Sequence, residues 1–400
     1  MSEGDLAGLH LKVDEAALTR LTMEFIRHQS EAPPGREEGA AALAVERMRR
    51  LGFEAEVDAI APNRANAIGR LRGCGGAGAG TLAFNGHLDV VPRGDAEWTT
   101  PPFKPEIREG KLYGRGAADM KGGIAAALHA VEMLERAGVK LKGDLLFALD
   151  ADEEVTNIGL RKLLRDGVFA GATGCVIGEP TSLDIAVGHR GVAGIEAVFT
   201  GKAAHAAQSW RGANAVDHAC RYVNLVHDLA GDKLISRNHP LLGPSLITPT
   251  RINGGFRVNV VPDHCALQLD LRLVPGETIE SVHAELWSLA DELRREISDL
   301  DVAFTTTTYC PPGLTESDQP VVGALQKAAV GVSRAKAAIK GFEASGELSL
   351  IVEETGVPTV FFGPGNIAQA HTVDEFVEVE QLTAAAMVYA RMFACYLGVA

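Results

Sequence analysis

Apolar positions in the first part of the chain recur with the two spacings that distinguish helices from strands. Leu18, Leu21 and Phe25 share one face of a helix predicted over residues 14–29, and a second helix is predicted over residues 36–51. Short apolar runs then predict strands over residues 67–71, 81–86, 145–149 and 175–177. This pattern indicates alternating helices and strands from the start of the chain.

A strongly amphipathic helix is predicted between the second and third of these strands. Ile124, Leu128 and Val131 lie on its apolar face, and Gly138 ends it. Strands that alternate with helices favour a mainly parallel sheet with helices on both faces, which is an α/β architecture.

The segment from Ile185 to Phe304 predicts a different order of elements. A strand, a helix, two strands and a second helix are predicted over residues 195–199, 214–229, 245–253, 265–271 and 279–297. This βαββα order fits a small antiparallel sheet with helices on one face, an α+β domain of ferredoxin-like type.

The last hundred residues return to the style of the first part. A helix is predicted near residues 319–330, a strand over 358–362 and a final helix from about Glu380. We therefore expect one α/β domain, formed by residues 1–184 and 305–400, that is interrupted by an inserted α+β domain over residues 185–304.

The composition restricts the classes of partner. The 400 residues carry a net charge of −14, which argues against a nucleic-acid surface with clustered Lys and Arg. No apolar run approaches the roughly 18 residues of a membrane span, and residues 1–21 lack the apolar core of a signal peptide. The six cysteines are scattered, as expected in a reducing cytoplasm. We expect a cytoplasmic protein that binds neither nucleic acid nor membrane.

Imidazole and carboxylate side chains follow several of the predicted strands. These side chains are His87 and Asp89, the acidic run Asp150, Asp152, Glu153 and Glu154, then Glu179 and His371. Because the carboxyl ends of parallel strands converge on one crevice, we expect these groups to meet there. Asp119 precedes the amphipathic helix and can join them from its loop.

This mixture of side chains is typical of a site for zinc or a similar divalent ion. Asp89 can accept a hydrogen bond from the second ring nitrogen of His87 and so fix its tautomer. Glu153 and Glu154 are adjacent like charges, so one is expected to bind metal while the other takes a proton from water. The ordinary alternatives are a loop pair for His87 and Asp89 and a solvated face for the acidic run; the joint occurrence favours the site.

Several blocks of the chain resemble the acetylornithine deacetylase, succinyl-diaminopimelate desuccinylase and aminoacylase family. The blocks are Gly86-His87-Leu88-Asp89-Val90-Val91-Pro92, Gly114-Arg115-Gly116 through Asp119-Met120-Lys121-Gly122, Asp152-Glu153-Glu154, Gly178-Glu179-Pro180-Thr181, Asn259-Val260-Val261-Pro262, and Gly363-Pro364-Gly365 to His371 with Asp374-Glu375. The resemblance extends over nearly the whole chain.

The resemblance implies a zinc-dependent amidohydrolase with two divalent metal ions, for which cobalt or manganese could replace zinc. It implies that His87 and Glu179 bind one ion, that Glu154 and His371 bind the other, and that Asp119 bridges the two.

The same resemblance assigns the remaining catalytic groups. Asp89 orients His87, and Glu153 acts as general base and general acid. The peptide bond between Asp119 and Met120 is expected to be cis.

The inserted domain resembles the family's lid and dimerisation domain, so a homodimer is expected. His205 would reach a neighbouring subunit's active site and stabilise the oxyanion. Arg272 would hold the substrate carboxylate through a bidentate pair, and Asn259 lies in a block that is expected to contact substrate.

The identity of the substrate depends on two further positions. His189 stands where the desuccinylases carry the first of two arginines, which argues against a succinyl group. Glu347 stands where the acetylornithine deacetylase branch has a glutamate; it could face a cationic side chain such as that of ornithine, or merely begin a helix.

We predict hydrolysis of N-acyl amino acids, most closely deacetylation of an N-acetylornithine-like substrate. The alternatives are a broad N-acyl-amino-acid hydrolase or dipeptidase and, from another class, a non-catalytic metal- or ligand-binding relative. A two-metal phosphate hydrolase is disfavoured because no basic phosphate clamp accompanies the ligands.

Overall fold

The computed structural model describes residue 6 and residues 8–76 and 78–400. The signal-peptide prediction concerns residues 1–21, of which 1–5 and 7 lie outside the described residues. The chain divides into two compact units. Unit 1 comprises Met1–Gly188, Leu314–Phe342 and Gly346–Ala400, and unit 2 comprises His189–Gly313 and Glu343–Ser345.

The helices and strands are numbered in chain order. The α-helices are α1 (Glu15–Arg27), α2 (Glu38–Arg50), α3 (Lys121–Arg136), α4 (Ile158–Arg165), α5 (Ala215–Asp232), α6 (Ile279–Arg294), α7 (Pro320–Ala329), α8 (Leu348–Thr355) and α9 (Val379–Leu397). The strands are β1 (Glu54–Ala61), β2 (Arg64–Leu71), β3 (Thr81–His87), β4 (Glu106–Arg108), β5 (Lys111–Tyr113), β6 (Asp144–Asp150), β7 (Gly174–Ile177), β8 (Ile185–His189), β9 (Gly191–Thr200), β10 (Asn238–His239), β11 (Gly243–Pro244), β12 (Leu246–Gly254), β13 (His264–Leu273), β14 (Asp301–Cys310), β15 (Gly313–Leu314), β16 (Ile339–Phe342), β17 (Thr359–Phe361) and β18 (Phe376–Glu378).

The main sheet has the strand order β1-β2-β6-β3-β7-β17-β8-β15, and β16 pairs with β8. Its centre is parallel, because β6 pairs with β3, β3 with β7, and β7 with β17 in the same direction. The pairs β1–β2 and β2–β6 are antiparallel. The predicted α/β class is confirmed. Strand β1 was not predicted, because its residues are mostly exposed or half-buried and form no apolar run.

Helices cover both faces of this sheet. On one face, Tyr389 and Phe393 of α9 contact Phe84 and Phe147 of the central strands, with ring centroids 5.4 Å and 6.4 Å apart. On the other face, the side chain of Asn66 donates to a backbone carbonyl at the start of α4 at 3.2 Å. Every residue of β3 is buried, as expected of a strand covered on both faces.

Unit 2 contains a four-stranded sheet with the order β12-β13-β9-β14, and its neighbouring strands are antiparallel. Together with α5 and α6, the strands follow the βαββαβ order of a ferredoxin-like fold. Its core is apolar, and Phe199 and Tyr222 pack with ring centroids 5.5 Å apart.

The sequence-based boundary between residues 304 and 305 is wrong in position, because it cuts through β14. That strand alternates between exposed and partly buried residues and contains four consecutive threonines, so no apolar run marked it. The second unit instead extends to Gly313. Within the described residues, no helix has both the length and the apolarity that a membrane crossing needs.

Candidate metal centre

The predicted ligands of unit 1 lie at or beyond the carboxyl ends of neighbouring strands. His87 is the last residue of β3, and Glu179 follows the adjacent β7 by two residues. Glu154 follows β6, which pairs with β3 on the other side. His371 lies in the loop after β17, and Asp119 lies in the loop before α3. The parallel pairing of these strands brings the loops to one edge of the sheet.

Asp119 lies between the two histidines. Its Oδ1 is 2.9 Å from Nε2 of His87, and its Oδ2 is 3.3 Å from Nε2 of His371. A second carboxylate accompanies each ring: Oε1 of Glu179 is 3.5 Å from Nε2 of His87, and Oε2 of Glu154 is 3.0 Å from Nε2 of His371. The result is one histidine–carboxylate pair on each side of the central Asp119 carboxylate.

This donor set fits divalent cations. Ligand atoms of His87, Asp119 and Glu154 all lie within 4.8 Å of one another, a spacing that a single ion can span. Within the described part of the chain, no lysine or arginine forms an ion pair with Asp119, Glu154 or Glu179. The partners of these carboxylates are the two histidines, and a metal cation could take the place of the protons that the imidazole rings would otherwise carry.

The pKa values of these groups reflect the crowding of charge. Burial, followed by the nearby Asp119 carboxylate, raises the pKa of Glu179 to about 7. Hydrogen bonds with Asp119 and Glu154 raise the pKa of His371 to about 10. Burial works to lower the pKa of His87, but its hydrogen bonds with neighbouring carboxylates outweigh that effect and raise it well above the usual range. A cation that binds here must therefore displace protons.

Asp89 holds the acidic turn rather than the imidazole alone. Its carboxylate accepts the backbone N–H groups of Glu153 and Glu154, each at 3.1 Å. Nδ1 of His87 is 3.1 Å from the backbone carbonyl oxygen of Asp89, whereas the nearer carboxylate oxygen is 3.6 Å away. The acceptor that fixes the His87 ring is thus the carbonyl, which differs from the expected carboxylate.

Glu153 lies next to the predicted ligands without an ion pair of its own among the described residues. Burial raises the pKa of Glu153 well above its usual range. His87 acts to lower this pKa, whereas the like charges of Glu154, Glu179 and Asp119 raise it further. A carboxyl group with a raised pKa can hold and release a proton near neutral pH, as general acid–base chemistry requires.

The start of the acidic run is buried and paired, so the interpretation of a solvated face is wrong for Asp150 and Asp152. Nη2 of Arg64 is 2.5 Å from Oδ1 of Asp152, and the same guanidinium bonds to both oxygens of Glu37, at 2.6 Å and 3.1 Å. Asp152 has a φ of +74°, so the chain turns sharply here. Sequence reasoning missed Arg64 and Glu37, because nothing in their spacing links them to the acidic run.

Glu347 directly precedes α8 but its side chain does not cap the helix. It is only 2% exposed, and within the part of the chain that the structure describes neither of its carboxyl oxygens has a hydrogen-bond partner. Burial raises the pKa of Asp150 to about 7. Burial, followed by the charge of Asp150, raises the pKa of Glu347 well above its usual range. Contact between Glu347 and a cationic substrate stays a prediction.

Two of the predicted site residues of unit 2, His205 and Asn259, are exposed. Nδ1 of His205 accepts the backbone N–H of Ala207 at 3.1 Å. In the neutral ring the proton then lies on Nε2, which leaves Nε2 as a hydrogen-bond donor. The backbone carbonyl of Asn259 accepts the N–H of Ala206 at 3.0 Å.

The other two predicted substrate residues of unit 2 already have partners. Nε and Nη2 of Arg272 bond to the two oxygens of Asp270 at 2.9 Å and 3.2 Å. His189 is buried, and its Nδ1 is 2.9 Å from the carbonyl oxygen of Arg190. A substrate carboxylate would have to share the Arg272 guanidinium with Asp270.

Comparison with known proteins places this geometry in context. The model of peptidase family M20/M25/M40 matches residues 83–394. An acetylornithine deacetylase from Myxococcus xanthus is 33% identical, over 88% of this chain and 90% of that protein. A probable succinyl-diaminopimelate desuccinylase from Staphylococcus epidermidis is 28% identical, over 86% of this chain and 89% of that protein. Aminopeptidase PepT from Bacillus cereus has the same fold, with a TM-score of 0.80 and 22% identity over 96% of this chain and 99% of that one.

Proposed function

The chain belongs to peptidase family M20/M25/M40, a family of metal-dependent amidohydrolases and peptidases, and we propose that it hydrolyses the amide bond of N-acyl amino acids at a two-metal site. The observation that supports this proposal is the position of Asp119, within 3.3 Å of Nε2 of both His87 and His371. A single carboxylate with a histidine on each oxygen is suited to bridging two cations.

Each ion would have three protein ligands. His87, Glu179 and Asp119 would hold one ion, and His371, Glu154 and the other oxygen of Asp119 would hold the second. Zinc accepts this mixture of nitrogen and oxygen ligands, and so do cobalt and manganese. Bound ions would polarise the substrate carbonyl and lower the pKa of the attacking water towards about 7.

Glu153 would move the proton. Its raised pKa suits a group that accepts a proton from the attacking water and returns it to the leaving amine. Asp89 would support both the metal ligands and this base, because its carboxylate holds the backbone N–H groups of Glu153 and Glu154. His205 of a second copy of the chain would donate a hydrogen bond to the oxyanion through Nε2, and a homodimer would then be the active form.

The substrate we favour is an N-acetylornithine-like amino acid. The relative at 33% identity is an acetylornithine deacetylase, and His189 replaces the arginine expected of a desuccinylase. Arg272, at the end of β13, would hold the substrate carboxylate, and Asn259, in the loop before β13, would contact the substrate. Glu347 would favour a cationic side chain from its buried position.

The alternative is a broad N-acyl-amino-acid hydrolase or dipeptidase. The 28% identical relative is a probable succinyl-diaminopimelate desuccinylase, which supports testing other acyl groups. Release of free amine from N-acetylornithine, N-acetylmethionine, N-succinyl-diaminopimelate and a dipeptide would distinguish these substrates.

The experiment that tests the catalytic proposal compares the wild type with Glu153→Gln. After loading with zinc or cobalt, the variant is expected to bind metal as the wild type does and to lose a factor of about 100 to 10,000 in kcat. Chelator should abolish turnover by the wild type. Metal binding without hydrolysis of any of these amides by the wild type would favour a non-catalytic binding protein and refute the proposal.

A further inference from the structure

We propose that Glu375 is a positioning residue. It holds the loop that carries Asp119, the central carboxylate, in a fixed position relative to the loop that carries His371. The inference rests on the proposed two-metal site, since it concerns how the bridging ligand is held. Glu375 lies four residues after His371 and is 1% exposed.

The carboxylate of Glu375 accepts four hydrogen bonds from the loop that ends at Asp119. Oε1 accepts the N–H of Ala118 at 2.9 Å and the N–H of Asp119 at 3.1 Å. Oε2 accepts Nη1 of Arg115 at 2.7 Å and the N–H of Gly116 at 3.0 Å. The Glu375 side chain thus binds the backbone of this loop at Asp119 itself, the residue whose carboxylate lies between the two histidines.

The backbone around Glu375 joins the same two segments. The backbone carbonyl of Glu375 accepts the N–H of Gly114 at 2.9 Å, and the next residue, Phe376, pairs with Tyr113 in the three-stranded sheet β18-β5-β4. On the other side, the carboxylate of Asp374 accepts the backbone N–H groups of Thr99 and Thr100. Residues 374–376 therefore contact residues 113–114 on one side and residues 99–100 on the other, and Glu375 is the one of these three that bonds to Asp119.

Only an ionised carboxylate fits this position. All four partners are donors, and a carboxylate is the side chain whose two oxygens can accept from all of them. In Glu375→Gln the amide NH₂ would face two of those donors, which would leave two buried N–H groups without acceptors. The loop would have to move to relieve this conflict, and the Asp119 backbone would move with it.

A displacement of Asp119 would affect both ions, since each is proposed to share its carboxylate. A carboxylate that merely stabilised the fold would instead lower the stability without changing the affinity for metal. These two roles can be separated by comparing Glu375→Gln with a variant that loses similar hydrogen bonds elsewhere.

Asp144→Asn is the matched control. The Asp144 carboxylate accepts the N–H of Gly73 at 2.9 Å and bonds to Arg70 and Arg72, so it also joins a backbone N–H to arginine. It lies at the first residue of β6, whereas the candidate metal centre lies beyond the last. Loss of its hydrogen bonds should affect stability but not the geometry of Asp119.

The test is a titration of the metal-free full-length proteins with Co²⁺, followed by visible absorption of the bound ion and by calorimetry. Glu375→Gln is expected to bind Co²⁺ about 10- to 100-fold more weakly than the wild type, with an altered absorption spectrum. Asp144→Asn should match the wild type in both. Glu375→Asp, which keeps two accepting oxygens, should bind Co²⁺ more tightly than Glu375→Gln.

Hydrogen exchange of the metal-free proteins gives a second measurement. Residues 114–119 should exchange faster in Glu375→Gln than in the wild type or in Asp144→Asn. Equal Co²⁺ affinity and spectra for the wild type and Glu375→Gln would overturn the positioning role alone. Uptake of fewer than two Co²⁺ ions by the wild type would refute the two-metal site. It would then also refute the proposal that Glu375 positions a bridging ligand.

Discussion

The backbone N–H of Glu153 donates to the carboxylate of Asp89 at 3.1 Å, so the proposed base is held by a residue two positions after the first histidine ligand. The other Asp89 oxygen accepts the N–H of Glu154 at the same distance. Asp89 is completely buried. Because its carboxylate accepts both backbone N–H groups, it favours one conformation of the turn that contains Glu153 and Glu154. A single side chain connects the loop after β3 to the loop after β6.

Asp89→Asn is expected to lower kcat/KM and metal affinity by about 10- to 100-fold. The amide NH₂ that replaces one oxygen cannot accept the N–H of Glu153 or Glu154, so the turn that carries both residues would shift. Steady-state kinetics and Co²⁺ titration measure the two effects. Asp95→Asn, at an exposed position of the loop that follows, is the control and should leave both unchanged. Wild-type behaviour of Asp89→Asn would show that the turn does not depend on this carboxylate.

Gly123→Ala is expected to destabilise the fold by about 1–3 kcal/mol. A Cβ at residue 123 of α3 would lie 2.1 Å from the carbonyl oxygen of Gly178, which is backbone and cannot rotate away. Because Glu179 follows directly, the displacement should also weaken metal binding. Urea unfolding of the metal-free protein measures the first effect, and Co²⁺ titration measures the second.

Gly323→Ala provides the contrast for that experiment. Gly323 lies within α7, and a Cβ there meets nothing within 4 Å. Alanine favours a helix over glycine by up to about 1 kcal/mol, so this variant should be stabilised. Equal free energies of unfolding for the two variants would contradict the steric argument.

Arg64→Met is expected to cost about 3 kcal/mol of stability, because it leaves the buried carboxylates of Glu37 and Asp152 without their cation. The comparison is Arg50→Met, since Arg50 pairs with Glu46 on the surface of α2 and such pairs contribute only about 0.3–0.5 kcal/mol. Urea unfolding compares the two variants. A loss in Arg64→Met no larger than that in Arg50→Met would show that the buried network is not stabilising.

Protonation of His129 should lower the stability of the protein as the pH falls. Nε2 of His129 accepts the N–H of Asp14 at 3.1 Å, and Nδ1 is 2.9 Å from Oε2 of Glu132. Burial lowers the pKa of His129 below its ordinary value of 6.5, although Glu132 opposes the shift. The unfolded chain therefore binds a proton at a higher pH than the folded one. Stability should be unaffected by this group above pH 6.5 and should decrease as the pH falls below it.

The variant for this test is His129→Gln, whose amide oxygen can still accept from Asp14 but does not titrate. Urea unfolding between pH 8 and pH 5 should show a steeper loss of stability for the wild type than for the variant. Parallel curves for the two proteins would contradict the assignment of this pH dependence to His129.

The sequence predicted the candidate metal ligands as a group because they are histidines and carboxylates that end or follow apolar strands, or lie in the loops between these elements. Buried strands such as β3 and β6 appear as apolar runs, and the histidine and carboxylate side chains that end or follow them stand out against those runs. Strands β1 and β14 were missed, since a strand that is exposed on one face and rich in threonine or charged residues has no continuous apolar run.

Local pattern by itself determined the α/β class, the ferredoxin-like insertion and the identities of the candidate ligands. Only the tertiary structure decided which distant groups contact one another: Arg64 with Glu37 and Asp152, and Glu375 with the backbone N–H of Asp119. The physical reason is that a hydrogen bond depends on separation in space, whereas periodicity reports only which residues share a face of one element. Residues 256 positions apart, such as Asp119 and Glu375, leave no local trace of their contact.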